Sequence, residues 1–352
     1  MLLTPGNLTS LALYVIAIFC GTVLVTGLVL RHLRIIDIPN ARSSHSTPTP
    51  RGGGLGIVAG FFLSLLLITL HFQGAPELTA PLYTLPYLSF LAALLLIGGI
   101  SLFDDITAHG FASKLLVQLL AILLIMANGI VISPLPTLIA WPITLLWVLG
   151  LTNAYNFMDG LDGMAGSTAA IVAGFFALIC AQHHLPLPAL LSLAISTAAC
   201  GFLCFNWPPA RIFMGDIGST FLGFAFATLA VLAAQAQPLM MAVMPLLLLH
   251  FLFDTIYTFT RRLLTGERVT QAHRSHFYQL LNRSGYRHRT VSLIYASLAT
   301  AQGLAALWLV QSPAQSAQSA QFERLWIFIP FLLIYSLLAQ HLTRQSRQQG
   351  LL

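Results

Sequence analysis

An all-α polytopic membrane protein of about eleven transmembrane helices, N-terminus outside and C-terminus inside, is what the composition and patterning of this chain predict. Of its 352 residues, 57% are hydrophobic and only 7% charged, more apolar surface than a soluble domain of this length buries. Apolar runs of roughly 20 residues, the length that crosses a hydrocarbon core, recur from one end to the other. Long stretches carry no charge at all, including Leu115 to Met158 and Gly163 to Ala210.

The first run, 9–31, is long enough to span and lacks a basic region before it, so it reads as a retained helix rather than a cleaved signal. Spans are expected next at 53–73, 81–103, 114–132 and 137–155. The fourth and fifth are the least regular, because Pro134, Pro136 and Pro142 crowd their junction. Further spans are expected at 164–182, 186–205, 217–236, 239–260, 290–311 and 325–341. The whole chain, 1–352, reads as one integral membrane domain, with 261–290 a long cytoplasmic loop contributing to the site. Cys20, Cys180, Cys200 and Cys204 lie within apolar runs and read as small buried hydrophobes, not disulfides or zinc ligands.

Lys and Arg are retained on the cytoplasmic side. Alternating the connections places 15 of the 16 basic residues there, with Arg324 alone outside, and this fixes both termini. Eight of the ten acidic residues share that side, leaving Glu77 and Glu323 outside. Topology does not require acids to follow bases, so the excess points to a cation or polar ligand handled on the inner face. The outer connections, such as SPLP at 133–136, are short and nearly uncharged.

The polar residues gather in a few inner segments. In FDDITAHGFASKLLVQ (103–118), Asp104 and Asp105 stand where a helix leaves the bilayer and Lys114, the only lysine, starts the next. Adjacent side chains diverge by about 100° on a helix, so one carboxylate faces a cleft while the other orients it; an ordinary interfacial pair with a snorkelling lysine is the plainer alternative. In NAYNFMDGLDGMAG (153–166), Asn153, Asn156, Asp159 and Asp162 recur at every third residue, which keeps them on one slowly turning helical face. Asn offers a carbonyl or amide, and Asp a hard oxygen suited to Mg²⁺ or an acceptor for a sugar or base. Polar contacts between helices are the other explanation, though two carboxylates are expensive for that purpose.

RIFMGDIGS (211–219) sets Asp216 and Ser219 at a span's start, where Asp216 is either a helix cap or, beside a phosphate and Mg²⁺, a metal ligand. HRSHFYQLL (273–281) lies in the cationic inner loop, and His273, Arg274 and His276 suit a diphosphate; zinc lacks a third ligand. In RSSHSTPTPRGGGLG (42–56), Arg42, Ser43, Ser44, His45 and Arg51 tilt the reading toward phosphate handling, while the glycines fit helix packing or substrate approach equally.

These segments, in this order and between spans of this number, resemble the polyprenyl-phosphate N-acetylhexosamine-1-phosphate transferase family (glycosyltransferase 4 type) of bacterial envelope assembly. The likeness runs from about Arg31 to Leu281 and is nearest the branch that starts O-antigen-type chains; where peptidoglycan enzymes carry three consecutive His, this chain has His273-Arg274-Ser275-His276. The resemblance implies transfer of a sugar-1-phosphate from a UDP-N-acetylhexosamine to undecaprenyl phosphate with release of UMP. Mg²⁺ is the implied cofactor, with Mn²⁺ able to substitute. It implies Asp216 and Asn156 as metal ligands, and Asn153, Asp159 and Asp162 at the nucleotide-sugar. Asp104 and Asp105 become the catalytic pair, and Lys114, His273, Arg274, His276 and Arg51 the phosphate contacts. The expected setting is the bacterial inner membrane with the site on its cytoplasmic face; a homodimer is allowed and no nucleic acid is expected. The reading from another class is an ion-coupled transporter, which only Asp254, four residues after His250 in an apolar span, supports.

Overall fold

The computed structural model describes residues 5–33, 35–39, 44, 47–72, 75–107, 110–268, 271, 273–311 and 324–352. Arg34, Arg42, Ser43, His45 and Glu323 lie outside them. The described chain is mostly helical. Helix α1 (Pro5–His32) leads to a two-stranded antiparallel ribbon, β1 (Ile36–Asp37) with β2 (Thr49–Pro50), and then to α2 (Gly54–His71) and the short α3 (Pro76–Thr79). There follow α4 (Leu85–Thr107), α5 (Phe111–Ala127), α6 (Thr137–Phe157), α7 (Met164–Gln182), α8 (Pro186–Asn206) and α9 (Asp216–Ala236). The chain closes with α10 (Met240–Leu247), α11 (Leu249–Leu264), α12 (Phe277–Arg283), α13 (His288–Val310) and α14 (Phe328–Gln348).

Among the described residues nine helices are long and apolar enough to cross a membrane, or ten if α10 and α11, bent by 71° at their junction, are one span. Two of the expected eleven differ for local reasons. The expected span 114–132 is the 17-residue α5, ended where Gly129 takes a positive φ of 87°, a conformation glycine adopts without cost. The expected span 239–260 is broken at Leu248, three residues beyond Pro245, whose missing N–H weakens the ladder. Cys20, Cys200 and Cys204 are exposed rather than buried, and only Cys180 is enclosed. All four are free thiols.

Helix α9 is the axis: its apolar window is wholly buried, with α6, α4, α2 and α10 around it, whereas α14 is largely uncovered. Small residues allow this density. A Cβ on Gly223 would come within 2.8–2.9 Å of the Thr152 and Leu151 backbone of α6. Gly54 meets Gly218 backbone to backbone, so the glycine-rich start of α2 serves helix packing. Hydrogen bonds cross the bundle from Ser101 to Thr220 (2.6 Å), Trp147 Nε1 to the Ala227 carbonyl (3.0 Å) and Tyr14 OH to the Leu190 carbonyl (2.9 Å), each worth roughly 1 kcal/mol in a membrane interior. Gly223→Val should force α6 from α9 and destabilise the bundle by about 1–3 kcal/mol. A melting temperature in detergent equal to wild type would contradict that contact.

Candidate active site

At one end of the bundle the last turns of α4 and α6, the first turn of α9, the β ribbon and the approach to α12 enclose a cavity of about 450 Å³. Its floor is built at Gly215, whose φ of 76° turns the chain into α9. The N–H groups of Asp216 and Ile217, free at the helix start, donate to the Asp105 carboxylate of α4 at 3.2 and 3.1 Å. Asp105 is thus a cap supplied by another helix, 2% exposed. A side chain at position 215 would collide with it, a Cβ falling 2.7 Å from Asp105 Oδ2. Arg51 secures the same point, donating from Nη2 to the Asp105 carbonyl at 2.6 Å.

The neighbouring carboxylate points elsewhere, as the divergence of adjacent helical side chains requires. Lys114 Nζ sits 2.9 Å from Asp104 Oδ2 and 2.6 Å from Asp216 Oδ2. Asn156 Nδ2 donates to the other Asp216 oxygen at 3.0 Å and to Ser219 Oγ at 2.8 Å. Asp216 is therefore gripped between a cation from α5 and an amide from α6.

Beyond α6 the loop carrying Asp159 and Asp162 folds under Gly160, where the Tyr278 ring leaves no room for a side chain. Asp162 accepts from Ala210 N–H at 3.1 Å and lies 3.1 Å from His288 Nδ1. Desolvation would raise its pKa, but the bonds from His288 and Ala210 outweigh it and hold the carboxyl below its ordinary value. Asp159 faces the opposite balance. It borders the cavity half-buried, and desolvation, followed by the nearby Asp216, Asp105 and Asp162 carboxylates, pushes it up to about 8. His273 also borders the cavity; burial, then His276, Arg262 and Arg261, bring its imidazole down to about 4, so at neutral pH it is a hydrogen-bonding group and carries no charge.

The cavity wall thus gathers Arg51, Asp105, Asn156, Asp159, Asp162, Asp216 and His273 from segments spread over more than half of the chain. Lys114 and Asp104 join them through Asp216. Three other candidates are placed off the wall. Asn153 donates to Gln118 Oε1 (2.9 Å) and to the Leu149 carbonyl (2.8 Å), between α5 and α6. Arg274 lies outside the lining, its carbonyl accepting from Arg283 at 3.0 Å. His276 turns inward, with Nδ1 3.0 Å from Asp254 Oδ1. Asp254 itself is fully buried, its oxygens met by protein donors.

Ser44, one of the residues whose polar loop suggested phosphate handling, lines the cavity as well; Asp37, Asn206, Gln279 and His288 also line it, and the sequence did not single them out for it. Asn206 ties two loops together, accepting from Gly163 N–H at 2.9 Å and donating to the Ile212 carbonyl at 2.8 Å. His288 links Asp162 to the Ser44 carbonyl, 3.1 Å from its Nε2. An amide at the end of a long charge-free run was the available signal for Asn206. His288 sits in the run RHR, where a positive-inside explanation sufficed.

Among the described residues no group of three or more His, Cys, Asp or Glu side chains is arranged to hold a metal ion. Mg²⁺ needs less, since one or two carboxylates plus substrate phosphate oxygens and water complete its shell. The donor set fits that requirement: Asp216 presents a carboxylate to the cavity, Asn156 has an amide whose carbonyl oxygen could serve, and the mutual repulsion felt at Asp159 is what a divalent cation relieves.

The sequence pattern of glycosyl transferase family 4 matches residues 87–234. The chain is 31% identical over 291 residues to the probable undecaprenyl-phosphate N-acetylglucosaminyl 1-phosphate transferase of Bacillus subtilis (strain 168), covering 78% of each protein. It is 30% identical over 301 residues to the decaprenyl-phosphate N-acetylglucosaminephosphotransferase of Mycobacterium tuberculosis (strain CDC 1551 / Oshkosh), covering 74% of this chain and 72% of that one. The phospho-N-acetylmuramoyl-pentapeptide-transferase of Shouchella clausii (strain KSM-K16) is 33% identical over 262 residues, covering 68% of this chain and 77% of that one.

Proposed function

The chain belongs to glycosyl transferase family 4, the polyprenyl-phosphate hexosamine-1-phosphate transferases, and from that premise we propose that it moves an N-acetylhexosamine-1-phosphate from a UDP-sugar to undecaprenyl phosphate. UMP leaves, and the lipid-linked product starts an envelope glycan of the O-antigen type. The observation that supports this most is the clasp of Asp216, on the cavity wall, by Lys114 and Asn156, because a carboxylate, a cation and an amide side by side are the groups a metal-bound diphosphate calls for. The excess of basic residues on the same connections favours a site on the cytoplasmic face of a bacterial inner membrane.

In this reading an oxygen of the lipid phosphate attacks the β-phosphorus of the UDP-sugar, and the bond from that phosphorus to the oxygen bridging the two phosphates breaks, releasing UMP. A phosphate monoester is already mostly ionised at neutral pH, so no strong base is needed. Asp104 takes up or orients any remaining proton, while Asp105 fixes the start of α9 and with it Asp216. Lys114 and Arg51 offset charge on the phosphates. His273, neutral, offers hydrogen bonds from the cavity lining, and Asp159 and Asp162 shape the nucleotide end. Mg²⁺, held by Asp216 and Asn156, would neutralise charge on the diphosphate when bound. Positioning and charge compensation then supply most of the acceleration.

Relatives include both N-acetylglucosamine and muramoyl-pentapeptide transferases. The segment His273-Arg274-Ser275-His276, which stands where the resemblance would give a peptidoglycan enzyme three consecutive His, favours the simpler sugar. Purified protein given undecaprenyl phosphate, Mg²⁺ and a panel of UDP-sugars should release UMP with a UDP-N-acetylhexosamine. Release only with UDP-N-acetylmuramoyl-pentapeptide would reject this assignment.

A further inference from the structure

A buried carboxylate remains that the proposed transfer does not use. Asp254, near the middle of α11, has no exposed surface, and an ionisable group in an apolar helix is costly unless its oxygens are fully paired. They are. Oδ1 accepts from Thr258 Oγ1 (3.1 Å), faces His276 Nδ1 (3.0 Å) and takes the Phe277 N–H (3.1 Å); Oδ2 accepts the same N–H (3.0 Å) and the Tyr295 hydroxyl of α13 (3.1 Å). Phe277 is the first residue of α12. Asp254 therefore takes the first N–H of α12 from another helix, much as Asp105 does at α9, while His276 and Gln279 close a capping box within α12 itself.

The anchor continues to the cavity. The His276 ring lies nearly parallel to Tyr278, 5.9 Å away at 12°, and 6.3 Å from Phe157. Tyr278 donates to the Phe157 carbonyl at 2.9 Å, one residue past Asn156. His273 and Gln279, on either side of this anchor, line the cavity. On the other side of Asp254, the break between α10 and α11 is bridged by Gln302 of α13. With its amide turned to satisfy every neighbour, Gln302 donates to the Leu247 carbonyl (3.1 Å) and His250 Nδ1 (2.6 Å) and accepts from the His250 N–H (3.1 Å) and the Tyr335 hydroxyl (2.5 Å). The Leu247 carbonyl and the His250 N–H, on the two sides of the break, are thereby paired through one side chain.

We infer that Asp254 is a positioning residue: through His276 and Phe277 it sets α12 so that His273 and Gln279 meet the nucleotide-sugar, without itself touching substrate. This rests on the transferase reading for its kinetic consequence and not for the anchor. The test uses full-length protein in nanodiscs with undecaprenyl phosphate, Mg²⁺ and UDP-N-acetylglucosamine, and compares His276→Leu, His276→Asn and Asp254→Asn. His276→Leu should raise KM for the donor about tenfold with kcat within about threefold of wild type, and should speed tryptic cleavage after Arg268 and Arg274. His276→Asn keeps both a side-chain donor for Asp254 and an acceptor for the start of α12 and should recover most of both effects, whereas Asp254→Asn, which leaves the capping box intact, should resemble His276→Leu; wild-type KM and trypsin resistance in Asp254→Asn would overturn the inference. Equal defects in His276→Leu and His276→Asn would overturn the inference, as would wild-type KM and trypsin resistance in His276→Leu. A fall in kcat at unchanged KM would overturn it too, by placing the pair in the chemistry. Should wild type release no UMP with any donor, the transferase reading fails, and the trypsin comparison still decides the anchor.

Discussion

Asp216→Ala is expected to lower UMP release at least about a thousandfold while the protein keeps its chromatographic profile and melting temperature. The two halves of that expectation come from different contacts. The start of α9 is held by Asp105, which accepts from the main chain of residues 216 and 217, and the Thr220 hydroxyl donates to the carbonyl of residue 216. None of these bonds uses the Asp216 side chain, so the helix survives its loss. The carboxylate is engaged instead by Lys114 and Asn156, which in the proposed function handle a diphosphate. A binding readout separates metal from other roles: the paramagnetic signal of Mn²⁺ should titrate with wild type, and should weaken at least about tenfold with the variant. Turnover within a few-fold of wild type would remove Asp216 from the site, and unchanged Mn²⁺ affinity would remove it from the metal.

The positions of the spans and the polar islands were legible because both are local. A charge-free run announces a span wherever it occurs, and Asn156 and Asp216 stand out against such runs although 60 residues separate them. Helix ends and breaks are set by smaller causes. Gly129 ends α5 early, and the break at Leu248, begun by Pro245, is bridged by Gln302, more than 50 positions away. The Asp104–Asp105 pair shows how far local geometry reaches: divergence on a helix predicts two roles, but only the location of α9's free N–H groups tells which carboxylate is the cap. The placement of His276 was hidden for the same reason. Its partner Asp254 lies in a run that reads as an ordinary span, and nothing near HRSH indicates that one imidazole turns inward while His273 faces the cavity. Asn153 keeps the three-residue spacing of its neighbours yet meets Gln118, since a face that drifts with each step cannot hold four side chains on one cavity.

Lys114 gives the second large effect, through charge. Its ammonium lies within 2.9 Å of carboxylates on α4 and α9, in a position where two negative groups would otherwise face each other and the incoming phosphates. Lys114→Met should cost about a hundredfold in kcat/KM. Lys114→Arg should recover little of it, although the charge is kept, because the planar guanidinium is wider than an ammonium and presents its donors as a fork. A double-mutant cycle separates the two duties of this lysine. If its chief task is to hold Asp104 and Asp216 together, adding Asp104→Asn to Lys114→Met should cost less than the sum of the single changes, because one of the opposed charges is gone. Strictly additive losses would mean that Lys114 acts on the phosphates independently of Asp104, and recovery of near wild-type turnover by Lys114→Arg would show that charge alone, not its compact shape, is what the site requires.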